Sequence, residues 1–362
     1  MGLMSGTSMD GIDATIIETN GITFKRTGYN YSIKYKPLTL KLLKQAIKKP
    51  LDFIKKKHSY NKLNYLVTIE HANVVNNLVT MFLPYNKKKP AVIGFHGQTI
   101  YHNPKEKLSI QIGNPKLLAE LARVNVIFDL RKNDIRQGGV GAPLAPIYHL
   151  SMIKELKQKL PAAILNLGGV GNITWYNGND LIGFDIGPGN GLMDIFIQKK
   201  NGSPFDMNGD LARKGTPSIK IVNDFLTHNF FKTPYPKSLD RLTFNSVLFQ
   251  KDFLKLNIND ALSTLAHLTI QSLKKSMSLL PKLPLSLMIV GGGQHNSYLV
   301  DNLKKSFNFS IFTADEIGLS GNMIEAELMA FLAVRSIKDL PITFPKTTGV
   351  KEPTNGGRLY KY

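Results

Sequence analysis

Two stretches of this chain share one shape, and together they limit how it can fold. Residues 1–20 read as a short strand, a glycine turn and a second strand: Gly2–Met4, the run Gly6 to Gly11, then Ile12–Glu18 with its β-branched content. Residues 162–175 repeat that shape, with Gly168, Gly169 and Gly171 between two apolar stretches. The likeness is one of form, since the residues themselves differ. A glycine hairpin near the start of each half predicts a duplicated α/β architecture.

The intervening segments fit that plan. Helical spacing is expected over Leu38–Lys49 and Ser59–Leu83, the second with a core face of Leu63, Leu66, Ile69, Val75, Leu78 and Phe82. Ala91–Gly97, Ser109–Gly113 and Val124–Leu130 read as strands, with a helix over Pro115–Arg123 between the last two. A late strand, Leu287–Val290, runs into Gly291, Gly292 and Gly293 and then a helix over Ser297–Phe307. Asp260–Leu280 and Asn322–Ile337 read as amphipathic helices. The tail after Pro341 is polar and proline-bearing, and is expected to be irregular and packed on the surface. No stretch is low in complexity or linker-like, so the two halves are expected to share a deep cleft.

At 362 residues and 43% apolar content, the chain is long enough for two cores of domain size. It contains no cysteine, which excludes a disulfide framework and thiolate metal sites. No segment approaches the roughly 18 consecutive apolar residues of a membrane span, and the N-terminus lacks signal-peptide character. A soluble cytoplasmic protein is expected, with no membrane partner. The balance of 46 Lys and Arg against 26 Asp and Glu sets a formal charge of +20. The lysine runs 48–49, 55–57 and 87–89 flank helix-like segments, carry no interleaved aromatic residues and match no nucleic-acid motif. They read as a solvated surface with some attraction for small anions, and no nucleic-acid partner is expected.

Chemistry concentrates in a few places. In Gly2-Leu-Met-Ser-Gly-Thr-Ser-Met-Asp-Gly-Ile-Asp13, Gly6 and Gly11 allow close backbone approach, and Thr7 and Ser8 offer hydroxyls. The N–H groups of such a turn can cradle an anion. Asp10 and Asp13 would repel a bare phosphate but suit one carried with Mg²⁺. A plain Gly/Ser hairpin explains the same residues. In Leu181-Ile-Gly-Phe-Asp-Ile-Gly-Pro-Gly-Asn-Gly-Leu-Met-Asp194 a strand delivers Asp185 into a glycine turn, where a carboxylate can serve as a general base or as a turn aspartate. The glycine spacing there is not the dinucleotide fingerprint. His96 reads equally as a substrate hydrogen-bond donor or as a satisfied turn histidine. The histidines show no metal-ligand spacing, and neither a Walker P-loop nor a G-x-S-x-G elbow occurs.

Taken in order, these motifs resemble one family. Two glycine hairpins, a strand-end aspartate in the second half and a late Gly-Gly-Gly loop are the parts of the sugar kinase/Hsp70/actin superfamily. The opening run, His96-Gly-Gln-Thr99, Gln111-Ile-Gly113 and Gly138-Gly-Val-Gly-Ala-Pro-Leu144 look like those of the anhydro-N-acetylmuramic acid kinases. So do Asn166-Leu-Gly-Gly169 with Asn172-Ile-Thr174, Phe184-Asp-Ile-Gly-Pro-Gly-Asn190, Pro236-Lys-Ser238, Gly291-Gly-Gly293 with His295-Asn296, Glu325-Ala326 and Thr348-Gly349. The resemblance covers essentially the whole chain.

The resemblance implies a two-domain actin-like ATPase fold, that is, a duplicated ribonuclease H-like fold, with a nucleotide and sugar cleft between domains. The first domain would take residues 1–135 and roughly 340–362, the second 136–339. It implies an ATP-dependent kinase that also hydrolyses: water opens the C1–O6 bridge of 1,6-anhydro-N-acetylmuramic acid, and O6 takes the γ-phosphoryl of ATP in cell-wall recycling. Asp185 matches the family's catalytic aspartate. Residues Gly6, Thr7, Ser8, Met9, Asp10, Gly11, Ile12 and Asp13 would hold the β- and γ-phosphates. Gly168, Gly169 and Gly171 would form the second phosphate loop, and Gly291, Gly292 and Gly293 would border the adenosine. Asp10 and Glu325 would neighbour Mg²⁺. His96, Gln98, Arg131, Gly141, Ala142 and Pro143 would contact the sugar, with Arg131 suited to its lactyl carboxylate. A homodimer is also implied.

This chain departs from the family pattern where Met1 stands in place of residues preceding the first glycine, so a short first strand or a start further upstream is expected. Other readings remain at this point. One is a kinase acting on levoglucosan, which lacks the lactyl and N-acetyl groups; another is an ATP-binding chaperone or actin-like filament protein. A nucleic-acid role would rest on charge alone.

Overall fold

A computed structural model describes the chain apart from residues 7, 8, 10, 87, 88, 104, 105 and 240–242. Two of the lysines in the run 87–89 therefore lie outside the described residues. The chain divides into two compact units, Met1–Ser151 with Met323–Tyr362, and Met152–Asn322.

In the first unit β1 (Gly2–Ser5), β2 (Ile12–Thr19) and β3 (Phe24–Ile33) form an antiparallel meander. On the other side of β1, β4 (Ile93–Asn103) runs parallel to it, and β5 (Leu108–Ile112) folds back on β4. Beyond β4 come the parallel β6 (Val126–Phe128) and the antiparallel β12 (Arg358–Tyr360). The second unit repeats the scheme. β7 (Ala162–Leu167), β8 (Val170–Tyr176) and β9 (Leu181–Pro188) make the meander, and β10 (Ser286–Val290) and β11 (Ser310–Thr313) add in parallel beside β7. The orders β3-β2-β1-β4-β6 and β9-β8-β7-β10-β11 are the same. This is the ribonuclease H-like order, duplicated as in the actin-like fold. β7 is buried at every position, as expected of a central strand covered on both faces.

The helix Ile324–Ile337 explains why the chain returns to the first unit after residue 322 rather than near 340. It crosses β1 and β4 where both carry glycine. A Cβ on Gly2 would stand 1.9 Å from the Ala326 carbonyl oxygen, and one on Gly94 2.0 Å from that of Met329. Only the absence of side chains lets helix backbone rest on strand backbone there. Glu327 of this helix is buried yet satisfied, by Arg26 Nε at 2.8 Å and the Tyr148 hydroxyl at 2.6 Å.

Local expectations met the fold with instructive differences. The helix expected over 59–83 spans Lys57–Asn86, and its buried stripe runs through Leu63, Val67, His71, Val74, Val75, Leu78 and Phe82. Leu66 and Ile69 sit at its half-buried margin, one step round the helix. β3 carries no apolar alternation in its sequence, because its charged, polar and aromatic residues form an edge strand facing solvent. The strand expected to end at Gly97 continues to Asn103, since β5 pairs with its second half. Val124–Leu130 contributes only three strand residues.

The tail is irregular over much of its length, yet it is tied into the fold. It forms a turn of helix at Pro345–Thr348, buries Ile342, Thr347, Thr348 and Val350, and supplies β12 to the sheet edge.

Candidate active site

Asp185 lies on β9 in the second unit, with 6% of its surface exposed. The cross-strand register places it opposite Asn172 of β8, which in turn lies opposite Asn166 of β7. In antiparallel pairs directly opposed side chains share a face, so these three form one polar row across the meander. The segment after residue 234 runs along β9: the Asp185 N–H donates to the Lys237 carbonyl at 3.1 Å, and the Leu239 N–H donates to Asp185 Oδ2 at 2.7 Å. Held from its own backbone and through a carboxylate oxygen, Asp185 has little freedom to swing.

Lys237 is the unexpected member of this site. Its side chain is buried, its Nζ donates to the Phe230 carbonyl at 3.0 Å, and the ammonium sits 4.3 Å from the Phe230 ring centroid and 5.6 Å from that of Phe184. Burial pushes the ammonium down to about 8, while the nearby Asp185 carboxylate opposes that shift. In so lysine-rich a sequence nothing marks one buried lysine; only its place in the run Pro236-Lys-Ser238 hinted at a role.

The turn that follows β9 packs on the second glycine hairpin. The chain leaves β9 at Pro188, and the N–H groups of Gly189 and Asn190 donate to the carbonyls of Gly169 and Gly168 at 3.2 and 2.8 Å. A Cβ on Gly189 would stand 2.2 Å from the Gly168 oxygen. From the far side Thr269, on the buried helix Ile258–Met277, donates its hydroxyl to the Gly189 carbonyl at 2.9 Å. Gly291–Gly293 follow β10 directly and press on the neighbouring strand: a Cβ on Gly291 would meet Asn166 Oδ1 at 2.3 Å, and one on Gly293 would meet Leu167 Cβ at 2.6 Å. The structure thus brings together Gly168, Gly169, Gly171, Gly291 and Gly293 at the carboxyl ends of two parallel strands, where open α/β sheets bind ligands. Gly292 is exposed on the same loop.

The first unit presents the other glycine turn. Thr7, Ser8 and Asp10 lie outside the described residues. Gly6 O accepts from Met9 N at 3.1 Å, and Met9 has a φ of 61°. Gly11 touches the backbone of β3, where a Cβ would stand 2.1 Å from the Ile33 oxygen. Ile12 is fully buried in the core, so only its backbone is left for a ligand. Asp13 Oδ1 accepts from the Ser32 hydroxyl at 2.5 Å.

Gln98 supports this turn from behind. Its Nε2 donates to Gly6 O at 3.0 Å, and its Oε1 accepts from the Tyr35 hydroxyl at 3.1 Å. With both amide ends engaged and none of its surface exposed, Gln98 stands as a prop for the glycine turn, where a sugar contact was expected.

His96, Arg131 and Gly141 are joined by one line of hydrogen bonds. Arg131 Nε donates to His96 Nε2 at 3.1 Å, and Arg131 Nη1 donates to the Gly141 carbonyl at 2.6 Å. Since His96 Nε2 accepts, its proton lies on Nδ1 and is donated to the Gly97 carbonyl at 2.8 Å. Burial first, then the Arg131 charge, pushes this imidazole down to about 3, so it stays neutral. Of the two readings left open for His96, the geometry matches the satisfied one: it orients Arg131. Ala142 and Pro143 follow Gly141, with Pro143 buried and Ala142 half-buried.

No group of three His, Cys, Asp or Glu able to hold a metal occurs among the described residues. Of the two carboxylates expected beside Mg²⁺, Asp10 lies outside the described residues and Glu325 is half-buried in the first turn of the helix Ile324–Ile337. No described helix is long and apolar enough to cross a membrane.

Comparison with known proteins identifies the family. The family profile of anhydro-N-acetylmuramic acid kinase matches residues 1–362. Proteins of that name from Rhodopseudomonas palustris strain BisB18 and from Zymomonas mobilis are each 38% identical to this chain, over 99% of it and 98% and 99% of their own lengths. One from Azorhizobium caulinodans is 39% identical over all of this chain and 98% of its own. Among solved structures, the ADPNP-bound activator of the 2-hydroxyisocaproyl-CoA dehydratase from Clostridium difficile matches with a TM-score of 0.44 and 12% identity, covering 93% of this chain and 95% of that one. That likeness is too distant to bear on function. With a profile matching from end to end and relatives at 38% identity, this chain belongs to the anhydro-N-acetylmuramic acid kinase family.

Proposed function

We propose that this kinase uses ATP to open 1,6-anhydro-N-acetylmuramic acid by hydrolysis and to phosphorylate the freed O6, giving N-acetylmuramic acid 6-phosphate and ADP. The observation that carries this reading is the buried Asp185, anchored through its backbone N–H and through one carboxylate oxygen, at the position that matches the family's catalytic aspartate. Asp185 takes a proton from water as the water oxygen bonds to C1. The C1–O6 bond breaks, O6 bonds to the γ-phosphorus, and the bond from that phosphorus to the β–γ bridging oxygen breaks to release ADP. The proton on Asp185 then passes to solvent.

Phosphoryl transfer of this kind is chiefly a matter of positioning and charge neutralisation. The Gly6–Asp13 turn and the Gly168–Gly171 hairpin supply backbone N–H groups for the phosphates, and Gly291–Gly293 borders the adenosine. Asp10 and Glu325 would neighbour, through water, the Mg²⁺ that accompanies ATP, which would supply charge neutralisation at the phosphates. Arg131 receives the lactyl carboxylate, with Gly141, Ala142 and Pro143 beside the sugar. The enzyme works in the cytoplasm as a homodimer, recycling cell-wall sugar.

The test compares ATP consumption with 1,6-anhydro-N-acetylmuramic acid, with levoglucosan and with no sugar, for the wild type and Asp185→Asn. Turnover is expected with the first sugar alone, and is expected to fall by orders of magnitude in the variant while ATP still binds. Near-normal turnover in Asp185→Asn would remove the base from this scheme.

A further inference from the structure

The pair Thr348-Gly349 has no role in the scheme above, although it sits in the tail that was expected to be irregular. Thr348 is fully buried and bonds twice to the segment around Gly141. Its carbonyl accepts from Val140 N at 2.8 Å, and its hydroxyl donates to Asp134 Oδ2 at 2.5 Å. The other oxygen of that carboxylate accepts from Gly141 N at 2.6 Å, and the Asp134 carbonyl accepts from Gly139 N at 2.9 Å.

Asp134 is 1% exposed. A carboxylate so buried is costly unless its oxygens are taken up by donors, and here one donor comes from the tail and one from the loop. The loop is shaped around it. A Cβ on Gly139 would stand 2.2 Å from Asp134 Oδ1, and Gly141 has a φ of 75°. From Gly141 the line of hydrogen bonds continues through its carbonyl to Arg131 Nη1, and from Arg131 Nε to His96. One carboxylate thus fixes both the loop and the guanidinium assigned to the sugar.

We propose that Asp134 and Thr348 are positioning residues for the sugar side of the site, setting the Gly139–Pro143 loop and, through Gly141, the fork of Arg131. This rests on the reading of that loop and of Arg131 as sugar contacts. Neither residue touches substrate. Their effect is specific to sugar, because the glycine turn at Gly6 is propped by Gln98 and Tyr35 instead.

The test is steady-state kinetics on the full chain with Thr348→Val, which keeps the β-branched shape and removes the hydroxyl, alongside Thr348→Ser and Asp134→Asn. For Thr348→Val the KM for 1,6-anhydro-N-acetylmuramic acid is expected to rise about tenfold, the scale of one lost hydrogen bond to a buried charge. The KM for ATP should stay within about twofold, which is the split a local, sugar-side role predicts. Thr348→Ser, which restores the hydroxyl, should return the sugar KM to near wild type. Should Thr348→Val not fold, a selective rise in sugar KM for Asp134→Asn decides the matter. Parallel rises in both KM values, or a lower melting temperature with unchanged sugar KM, would overturn the proposal. Wild-type protein that consumes no ATP with this sugar would instead sink the functional reading, and this inference with it.

Discussion

Asp185 and Lys237 are joined through the backbone and again through charge: the Asp185 N–H donates to the Lys237 carbonyl at 3.1 Å, and the buried Lys237 ammonium acts on the Asp185 carboxylate. The carboxylate assigned to activate water therefore has a cation locked nearby, fixed by the Phe230 carbonyl and two aromatic faces. Lys237→Met keeps much of the side-chain length and removes the charge. Taking away a neighbouring positive charge makes a carboxylate easier to protonate. We predict that the acid side of the kcat/KM profile moves to higher pH in Lys237→Met, with rates at pH 6 falling more than rates at pH 8. A profile superimposable on wild type would separate Lys237 from catalysis.

A prop that acts on one substrate should show itself in the kinetics of that substrate. Gln98→Ala removes the bond to Gly6 O, and Tyr35→Phe frees the other end of the amide. With a typical hydrogen bond worth about 1 kcal/mol net, we expect the KM for ATP to rise several-fold in Gln98→Ala and less in Tyr35→Phe. The sugar KM should change little. Calorimetric titration of a non-hydrolysable ATP analogue checks the same point without turnover.

The two late glycine positions should differ sharply. At Gly189 an added Cβ would collide with the Gly168 carbonyl, whereas at Gly292 it would meet nothing within 4 Å. Forcing an atom into packed backbone costs about 1–3 kcal/mol. Gly189→Ala is therefore expected to melt several degrees lower and to bind ATP more weakly, while Gly292→Ala melts with the wild type. Thermal unfolding of the two variants side by side tests this.

Several buried histidines make stability depend on pH. His71 is fully buried, and desolvation pushes it down to about 4 against an unfolded value near 6.5. Above pH 6.5 it is neutral in both states and has no effect. As pH falls through the interval from 6.5 to 4, the unfolded chain takes up a proton that the folded chain refuses, so stability drops, by about 2 kcal/mol from this group at pH 5. His96 and His149, both pushed down to about 3, add losses of the same sign. His71→Phe should flatten the decline in melting temperature between pH 7 and pH 5. An unchanged slope would mean that His71 does not titrate in this way.

Much of the fold could be read from the residues because it is decided locally. Periodicity within one helix and glycine turns within one hairpin depend on about ten residues at a time, so both glycine hairpins, the long helix Lys57–Asn86 and the strand carrying Asp185 were legible. β3 was not, because an edge strand facing water needs no apolar alternation. The tail was not, because its polar residues are satisfied by partners far along the chain.

The site divides along the same line. The glycine turns, the strand-end carboxylate at Asp185 and, through the order of the motifs, the family all follow from the residues in their order along the chain. Packing in three dimensions is what makes Gln98 prop a turn, His96 orient Arg131, Lys237 lie buried near Asp185 and Thr348 bond Asp134 across 214 residues of chain. Buried charges and amides find their partners through packing, and no local pattern records which donor will meet which acceptor.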